Sequence, residues 1–291
     1  MLRSLFFIGL SACLSVVIQA QPIKLVGSDL VVGSIDVELQ KFAKENELKL
    51  SFELKGSRLG MEELNKPGGA DLGLLVFGNE DSKPGPEFRQ LCIGYFTAVV
   101  AVPKSLEFSQ ATFNQLAGIY GARELSDIRR WEQLGVTGSQ AQRSILTVAT
   151  GRRGGLALDI FRYGVMQKPD LKPTVTLLDN ATAAAARVNS DEGGMVLLPS
   201  PFGLNANLKV LLVSKTERGV AYGPTPENLH SGDYPLRLPV YLVFRKSDTK
   251  RLNFVIRHLL ADETNPVLAQ AGIIPLPVQA RNQLVFELET Q

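Results

Sequence analysis

The sequence predicts an α/β fold, and three observations support that prediction. Apolar residues make up 45% of the 291 residues and charged residues 21%, which is ordinary for a globular chain that can bury a sizeable core. Short apolar segments of strand type alternate along the chain with segments whose apolar residues recur every three or four positions. Glycine-containing turns follow several of the strand segments. This alternation of strand and helix is typical of α/β architecture.

The predicted strands are short apolar or alternating segments. Residues 48–54 (LKLSFEL) alternate between apolar and polar side chains, as a strand with one exposed face does. Residues 93–102 (IGYFTAVVAV) form a longer run closed by Pro103, which is too short for a membrane span and indicates a buried strand. Pro199 is expected to end the strand predicted at residues 195–198. In chain order, strands are predicted at residues 23–26, 48–54, 71–77, 93–102, 145–149, 174–178, 195–198, 208–213 and 238–244.

The predicted helices come from apolar positions that share one helix face. Asp179 or Asn180 is expected to cap an alanine-rich helix, and Asp248 a strongly amphipathic one. Residues 223–235 are rich in proline and glycine and are expected to be irregular. In chain order, helices are predicted around residues 35–42, at 108–119, around 156–161, at 181–188, around 252–260 and just before Gly272.

The first twenty residues are predicted to be a secretory signal peptide. Arg3 supplies a positive start, residues 5–18 are an almost unbroken apolar run, and residues 18–20 (IQA) form a small-residue cleavage site ending at Ala20. The run is shorter than the roughly 20 apolar residues of a spanning helix, which disfavours a retained membrane anchor. A lipoprotein with Cys13 as the lipidated residue is the other interpretation. Cleavage near Ala20 places the mature protein in the periplasm or outside the cell.

Charge and cysteine content exclude several classes of protein. The 31 basic residues nearly balance the 29 acidic residues, so no general basic field is available for nucleic acid. Two cysteines and two histidines are too few for a disulfide scaffold or a Cys/His zinc cluster, and no metal or cofactor is expected. Removing residues 1–20 leaves one cysteine, Cys92, which is expected to pack in the core; a reactive thiol is the alternative.

No sequence motif indicates an enzyme. The H-E-x-x-H, G-x-S-x-G and P-loop patterns do not occur in the sequence. His230 and His258 are expected at the surface or at a helix edge, and the acid pairs at residues 62–63 and 191–192 in solvated helix turns. Because no nucleophile comes with a base, we expect a binding protein and not a hydrolase.

Three glycine-containing loops indicate anion binding. Residues 27–29, 56–58 and 151–155 each follow a predicted strand and precede a helix, where free N–H groups and the helix dipole favour an anion. Serine hydroxyls add donors and arginine adds a planar fork of donors. The alternative is that these glycines serve only tight turns. The candidate ligand-binding residues are Ser28, Asp29, Leu30, Ser57, Arg58, Arg152, Arg153, Gly154 and Gly155.

Several segments occur in an order that resembles a known family. They are IKLVGSD at residues 23–29, LKGSRLG at 54–60, ADLG at 70–73, residues 113–121 with WEQLG at 131–135, GGMV at 193–196, PTPENL at 224–229 and GDYPL at 232–236. Over residues 23–276 the chain resembles the phosphate-type periplasmic substrate-binding proteins of ABC transporters. The segment that combines PTPENL with GDYPL, followed by a returning strand, is the most specific part of the match.

The resemblance implies a type II fold of two Rossmann-like lobes, joined by two crossing strands, with the ligand between them. Lobe 1 would comprise residues 21–102 plus 224–291, and lobe 2 residues 103–223. The crossings would fall near Val102–Pro103 and within residues 223–238. The implied function is capture of a small oxyanion, phosphate or a relative, and its delivery to an ABC permease in the membrane. The protein is expected to be a monomer and not to bind nucleic acid.

The sequence departs from the family at the ligand site. Asp29 stands where the family has a threonine, and Val76 stands where it has an aspartate that accepts the proton of bound phosphate. The hydroxyls of the family's Ser-Gly-Thr helix start are missing around residues 153–156, although Arg152 or Arg153 can take the place of the family's arginine. These departures leave a second function open, a sensory or protein-interaction module that reuses the fold without transport.

Overall fold

The computed structural model describes residues 22–78, 83–151, 155–166, 170–200 and 207–290. The predicted signal peptide, with Arg3, Cys13 and Ala20, lies outside the described residues. In the part that is described, no helix is both long and apolar enough to cross a membrane.

One mixed sheet of ten strands forms the centre of the molecule, in the order β2-β1-β3-β11-β4-β8-β6-β7, with β9 and β12 also paired to β4. A second, two-stranded parallel sheet joins β10 to β5. The strands are β1 Ile23–Gly27, β2 Leu50–Glu53, β3 Leu72–Val76, β4 Phe88–Pro103, β5 Gln110–Thr112, β6 Leu146–Thr150, β7 Thr176–Leu178, β8 Gly194–Ser200, β9 Leu208–Val210, β10 Leu212–Ser214, β11 Arg237–Arg245 and β12 Ile274–Pro275.

Side-chain caps begin some of the described helices, but Asp248, which was predicted to cap the helix Thr249–Leu260, makes no capping hydrogen bond there. Thr112 accepts a hydrogen bond from the Gln115 N–H in a capping box, and Asn180 accepts one from the Ala183 N–H at 2.7 Å. The helices are α1 Ile35–Glu45, α2 Ser57–Asn65, α3 Phe113–Tyr120, α4 Ala157–Val165, α5 Ala181–Asn189, α6 Pro226–Ser231, α7 Thr249–Leu260, α8 Asn265–Gln270 and α9 Val278–Glu289.

Strand β4 joins two halves of the large sheet. Its residues from Phe88 to Thr97 pair with β11, and from Thr97 to Ala101 with β8, so that Thr97 is paired with both Arg237 and Ser200. The first half contains the parallel strands β1, β2 and β3, and the second half the parallel strands β6, β7 and β8. This arrangement confirms the predicted two-lobed α/β fold. Which residues belong to each lobe stays a prediction.

Both faces of β4 are buried in the second half of the sheet. Val100 belongs to the main core together with Phe161 of α4, whereas Val99 and Ala101 pack with Val188 of α5. Because successive side chains of a strand point to opposite faces, a strand covered by helices on both sides has no polar alternation. This packing explains why residues 98–102 (AVVAV) are apolar without interruption.

Two predicted elements differ from the structure, and the last helix was not predicted. The helix predicted at residues 108–119 begins only at Phe113, because residues 110–112 form strand β5. The strand predicted at residues 208–213 is divided into β9 and β10, which pair with different strands. Helix α9, at the end of the chain, has no counterpart among the predicted elements.

Prolines account for two further corrections. Residues 223–235 are not wholly irregular, because Pro226 starts α6 and Thr225 caps it by accepting a hydrogen bond from the Asn228 N–H at 3.2 Å. Pro199 does not end a strand but lies inside β8, opposite Ala98. The ladder between β6 and β8 ends at Leu197, so no strand partner requires an N–H at position 199.

A cluster of charged side chains joins helix α2 to β1. Its contribution to stability should depend on pH. The Glu63 carboxylate binds the Lys66 ammonium at 2.6 Å and the Lys24 ammonium at 2.9 Å. These two cations lower the pKa of Glu63 from 4.5 to about 2. A carboxyl group whose pKa is lower in the folded state stabilises that state above its unfolded pKa, and the contribution is lost as the pH falls through the folded pKa.

We therefore expect Glu63→Gln to lower the free energy of unfolding near neutral pH. The difference from wild type should shrink as the pH falls from 4.5 to about 2. Urea denaturation at a series of pH values measures it. Glu62→Gln is the matched control, because Glu62 pairs with exposed Arg58 within one helix turn and should have little effect at any pH. An equal, pH-independent effect of both variants would contradict the assignment.

Candidate functional site

Three parallel strands of the first half end at one edge of the sheet. Because β1, β2 and β3 run in the same direction, their last residues Gly27, Glu53 and Val76 lie at that edge, where ligands bind in open α/β sheets. The loops that follow β1 and β2 carry Ser28 and Ser57. The backbone N–H of Gly56 donates to the Gly27 carbonyl oxygen at 2.8 Å, which joins the two loops. We call residues 27–30, 56–58 and 76 the strand-end site.

Ser28 is fixed by its backbone and keeps a hydroxyl hydrogen to donate. Its side chain is buried, and its N–H donates to the Leu74 carbonyl oxygen at 2.8 Å. Its Oγ accepts a hydrogen bond from the Leu30 N–H at 3.3 Å and thereby caps the 3-10 turn Asp29–Val31. No described residue accepts the Ser28 hydroxyl hydrogen, so this group can serve as a donor to a ligand.

Ser57 has the same character at the first position of α2. Its Oγ accepts a hydrogen bond from the Val76 N–H at 2.9 Å, and its own hydrogen has no acceptor among the described residues. Gly56 precedes it with a φ of +116° and contributes no capping side chain. The first-turn N–H groups of α2 are therefore left for solvent or an anion, with the positive end of the helix dipole behind them.

Arg58, Asp29 and Leu30, the other candidate residues of this half, are exposed side chains near the strand-end site. The Arg58 guanidinium binds the Glu62 carboxylate at 2.7 Å and is 83% exposed, so its described contact lies along the helix and not at the loops. Asp29 is exposed in the first turn after Ser28, and Leu30 is 39% exposed beside it. The carboxylate of Asp29 opposes an anion at this edge, so a bound anion needs compensating donors.

The second half of the sheet supplies the third predicted loop. Gly155 has a φ of +113°, and the nearest described atom to a Cβ at this position would be Cβ of Pro199, 3.7 Å away. This contact places the end of the loop beside the last residues of β8. Arg152, Arg153 and Gly154 lie outside the described residues. The structure thus brings Ser28 and Ser57 together, while a ligand-binding role for every candidate residue stays a prediction.

A cavity of about 340 Å³ lies where the two halves of the sheet meet, and none of the candidate ligand-binding residues lines it. We call it the hinge cavity. Its lining combines the end of β3, the crossing strands and the helices of the second half, and includes Gly78, Tyr95, Phe113, Lys215, Arg237 and Tyr241. The signal in the sequence was the aromatic and basic side chains beside the GDYPL segment, namely Arg237 and Tyr241.

Cys92 and His258 take part in packing and in contacts between elements. Cys92 is half-buried and packs against the main core, as predicted, and burial raises the pKa of its thiol. His258 stacks on Phe42 with ring centres 3.8 Å apart, and its Nε2 lies 3.0 Å from Glu38. It therefore ties α7 to α1. Within the described ranges no group of three or more His, Cys, Asp or Glu side chains is arranged to hold a metal ion.

Comparisons with known proteins agree on the fold. No protein-family model matches the sequence, and no curated protein matches it. Among solved structures, a possible phosphate binding protein from Planctomyces limnophilus is 18% identical, with a TM-score of 0.69 over 93% of this chain and 98% of that one. An ABC-type phosphate transport receptor from Vibrio cholerae is 20% identical, with a TM-score of 0.65 over 88% of this chain and 100% of that one.

A third structure gives the same result with less sequence similarity. PstS from Borrelia burgdorferi is 14% identical, with a TM-score of 0.72 over 88% of this chain and 99% of that one. Full-length coverage with identities of this size shows the two-lobed fold of phosphate-type substrate-binding proteins, as the resemblance predicted, and does not by itself show the ligand.

Proposed function

We propose that the protein is an exported substrate-binding protein that captures a small oxyanion, phosphate or a relative, for uptake by an ABC transporter. One observation carries the proposal. Ser28 and Ser57 lie at one sheet edge, each with its Oγ held by a backbone N–H and its own hydrogen without a described acceptor. An oxyanion needs such donors, and they occur in a fold shared with phosphate-binding proteins.

Capture would depend on local groups and not on the overall charge. After removal of residues 1–20 the chain has 30 basic and 29 acidic residues, so long-range attraction of an anion is weak. The proposed donors are the two hydroxyls, the first-turn N–H groups of α2 and the N–H groups of the loop at Gly154 and Gly155. Arg152 and Arg153 are proposed to offset the carboxylate of Asp29 and to bind the anion through their guanidinium groups.

Location and partner follow from the predicted leader and the fold. Cleavage near Ala20 would release the protein into the periplasm or outside the cell, where it would pass its ligand to a membrane permease as a monomer. We assign residues 21–102 and 224–291 to lobe 1 and residues 103–223 to lobe 2. Closure of the lobes about the crossing strands would enclose the ligand between Ser57 and the loop at residues 151–155, which carries Arg152 and Arg153.

The second candidate function is a sensory or protein-interaction module without transport. Exposed apolar side chains beside the strand-end site favour it: Leu30 is 39% exposed, Val32 56% and Leu59 45%. Such side chains suit contact with a protein surface better than contact with a hydrated anion. In this case the divergent residues Asp29 and Val76 reflect loss of the family's ligand.

Calorimetric titration of the secreted protein distinguishes the two functions. Phosphate, sulfate and molybdate are titrated separately, with chloride at equal ionic strength as the control. The transport function predicts saturable binding of at least one of the three oxyanions. If none of them binds, the oxyanion-binding proposal is wrong, and the interaction module is the remaining candidate.

A further inference from the structure

The hinge cavity contains two cations without an acidic partner. Arg237 and Lys215 line it, and neither forms an ion pair with any described carboxylate. Nη1 of Arg237 donates to the His230 carbonyl oxygen at 3.2 Å, and Nζ of Lys215 lies 3.4 Å from the Gly232 carbonyl oxygen. Both side chains therefore keep N–H groups free. The nearby Asp233 carboxylate accepts from the Ser231 hydroxyl and does not line the cavity.

Aromatic side chains form the other wall of the cavity. The Arg237 guanidinium lies over the Tyr95 ring, 4.8 Å from its centre, which fixes the cation in a stacked position. Tyr95 is buried, and its hydroxyl lies 3.4 Å from Nδ1 of His230. Tyr241 stacks on Phe77 with ring centres 4.5 Å apart. The Arg237 guanidinium and the rings of Tyr95 and Tyr241 are thus held by neighbouring side chains.

The cavity has room for a ligand larger than a simple inorganic ion. Its volume of about 340 Å³ lies within the range of roughly 300–1,000 Å³ that is usual for small-molecule sites. A tetrahedral oxyanion on Arg237 and Lys215 would leave most of this space, and the rings beyond, without contact. A ligand that combines an anionic group with an apolar body would contact both.

We propose that the hinge cavity is a second ligand site, specific for a small organic anion with a carboxylate or phosphate group on an aromatic or aliphatic body. The anionic group binds Arg237 and Lys215, and the body packs against Tyr241 and Phe113. None of the candidate ligand-binding residues lines this cavity, although Gly78 lies only two residues after Val76 of the strand-end site. The inference does not rest on the oxyanion-transport proposal.

Ligand binding at this position would also favour one arrangement of the lobes. Gly78 follows β3 of the first half, whereas Phe113 and Gly164 belong to helices that accompany the second half. A ligand that contacts both sides binds most tightly to the arrangement in which both sides reach it, and so shifts the population toward that arrangement.

Calorimetry with two probes tests the proposal. Phenyl phosphate and benzoate are titrated into wild-type protein and into the variants Arg237→Gln and Lys215→Gln. We expect at least one probe to bind wild type, and each variant to weaken it by about tenfold, as expected for loss of a hydrogen bond to a charged group. Arg187→Gln, which changes an exposed arginine on α5, is the matched control and should leave the affinity unchanged.

The outcomes separate this site from the strand-end site. Binding of phenyl phosphate without benzoate identifies the anionic group as phosphate, and the reverse as carboxylate. If neither probe binds wild type, or if both substitutions leave the affinity unchanged, the proposal that the hinge cavity binds an organic anion is refuted. If Ser57→Ala alone weakens phenyl phosphate, the probe occupies the strand-end site, which refutes the hinge site and supports the oxyanion proposal. Since Lys215 is exposed, its variant should fold even if Arg237→Gln does not.

Discussion

Replacing Gly27 with alanine should destabilise the protein by about 3 kcal/mol or more and abolish anion binding at the strand-end site. Gly27 has a φ of +145°, a conformation that side chains with a Cβ rarely adopt. A Cβ there would also overlap the backbone carbonyl of Leu74, which cannot move without breaking β3. The same residue accepts the hydrogen bond from Gly56, so the change would separate the two serine loops.

Gly33→Ala is the matched control for this prediction. Gly33 has a φ of +83°, but no described atom lies within 4 Å of the position of its Cβ, so only the backbone strain of about 1 kcal/mol is expected. Urea denaturation can be followed by fluorescence, because the single tryptophan, Trp131, is fully buried. Equal destabilisation by the two substitutions would show that overlap with the Leu74 carbonyl does not add to the cost of a side chain at Gly27.

Tyr234→Ala should lower the free energy of unfolding by about 3–5 kcal/mol, the usual cost of removing a large buried aromatic side chain. Tyr234 is fully buried in the segment that leads into β11, and its hydroxyl donates to the Ala98 carbonyl oxygen at 2.8 Å. In the same place the Leu236 carbonyl oxygen accepts from the Ala98 N–H at 3.0 Å and from the Thr97 hydroxyl. These bonds fix the segment to β4 at the residue where β4 changes partner.

Tyr234→Phe separates the contribution of packing from that of the hydrogen bond. It keeps the ring and leaves the Ala98 carbonyl oxygen without its donor, at an expected cost of about 1–2 kcal/mol. Urea denaturation of both variants measures the two contributions. If Tyr234→Ala costs no more than Tyr234→Phe, the buried ring is not what holds the crossing segment to β4.

The regular elements were predictable because their patterns are local. Ile35 and Leu39 recur at helical spacing and are buried on α1, and the apolar run of residues 98–102 in β4 reflects helices on both faces of that strand. The change of pairing at Thr97 was not predictable, since it depends on which distant strands reach β4. Helix α6 was missed because six residues beginning with proline resemble a loop in composition.

The candidate site was predictable only in part. A Gly-Ser turn between strand and helix indicated Ser57, but its bond to Val76 joins residues 19 positions apart and requires the parallel pairing of the strands. The i,i+4 spacing of Arg58 and Glu62 was visible in the sequence and predicts the ion pair that holds this arginine along α2. The hinge cavity was not predictable, because Tyr95 and Arg237 meet only through the pairing of β4 with β11.

The proposed oxyanion site depends on the hydroxyls of Ser28 and Ser57. Its most direct test is calorimetric titration of phosphate into wild type and into the double variant Ser28→Ala with Ser57→Ala, both first shown to be folded by circular dichroism. Ser190→Ala, at the far end of α5, is the matched control. We expect equal affinity for wild type and control, and binding weakened by about tenfold or more in the double variant. Equal affinity in all three proteins would show that the serine hydroxyls do not bind the oxyanion.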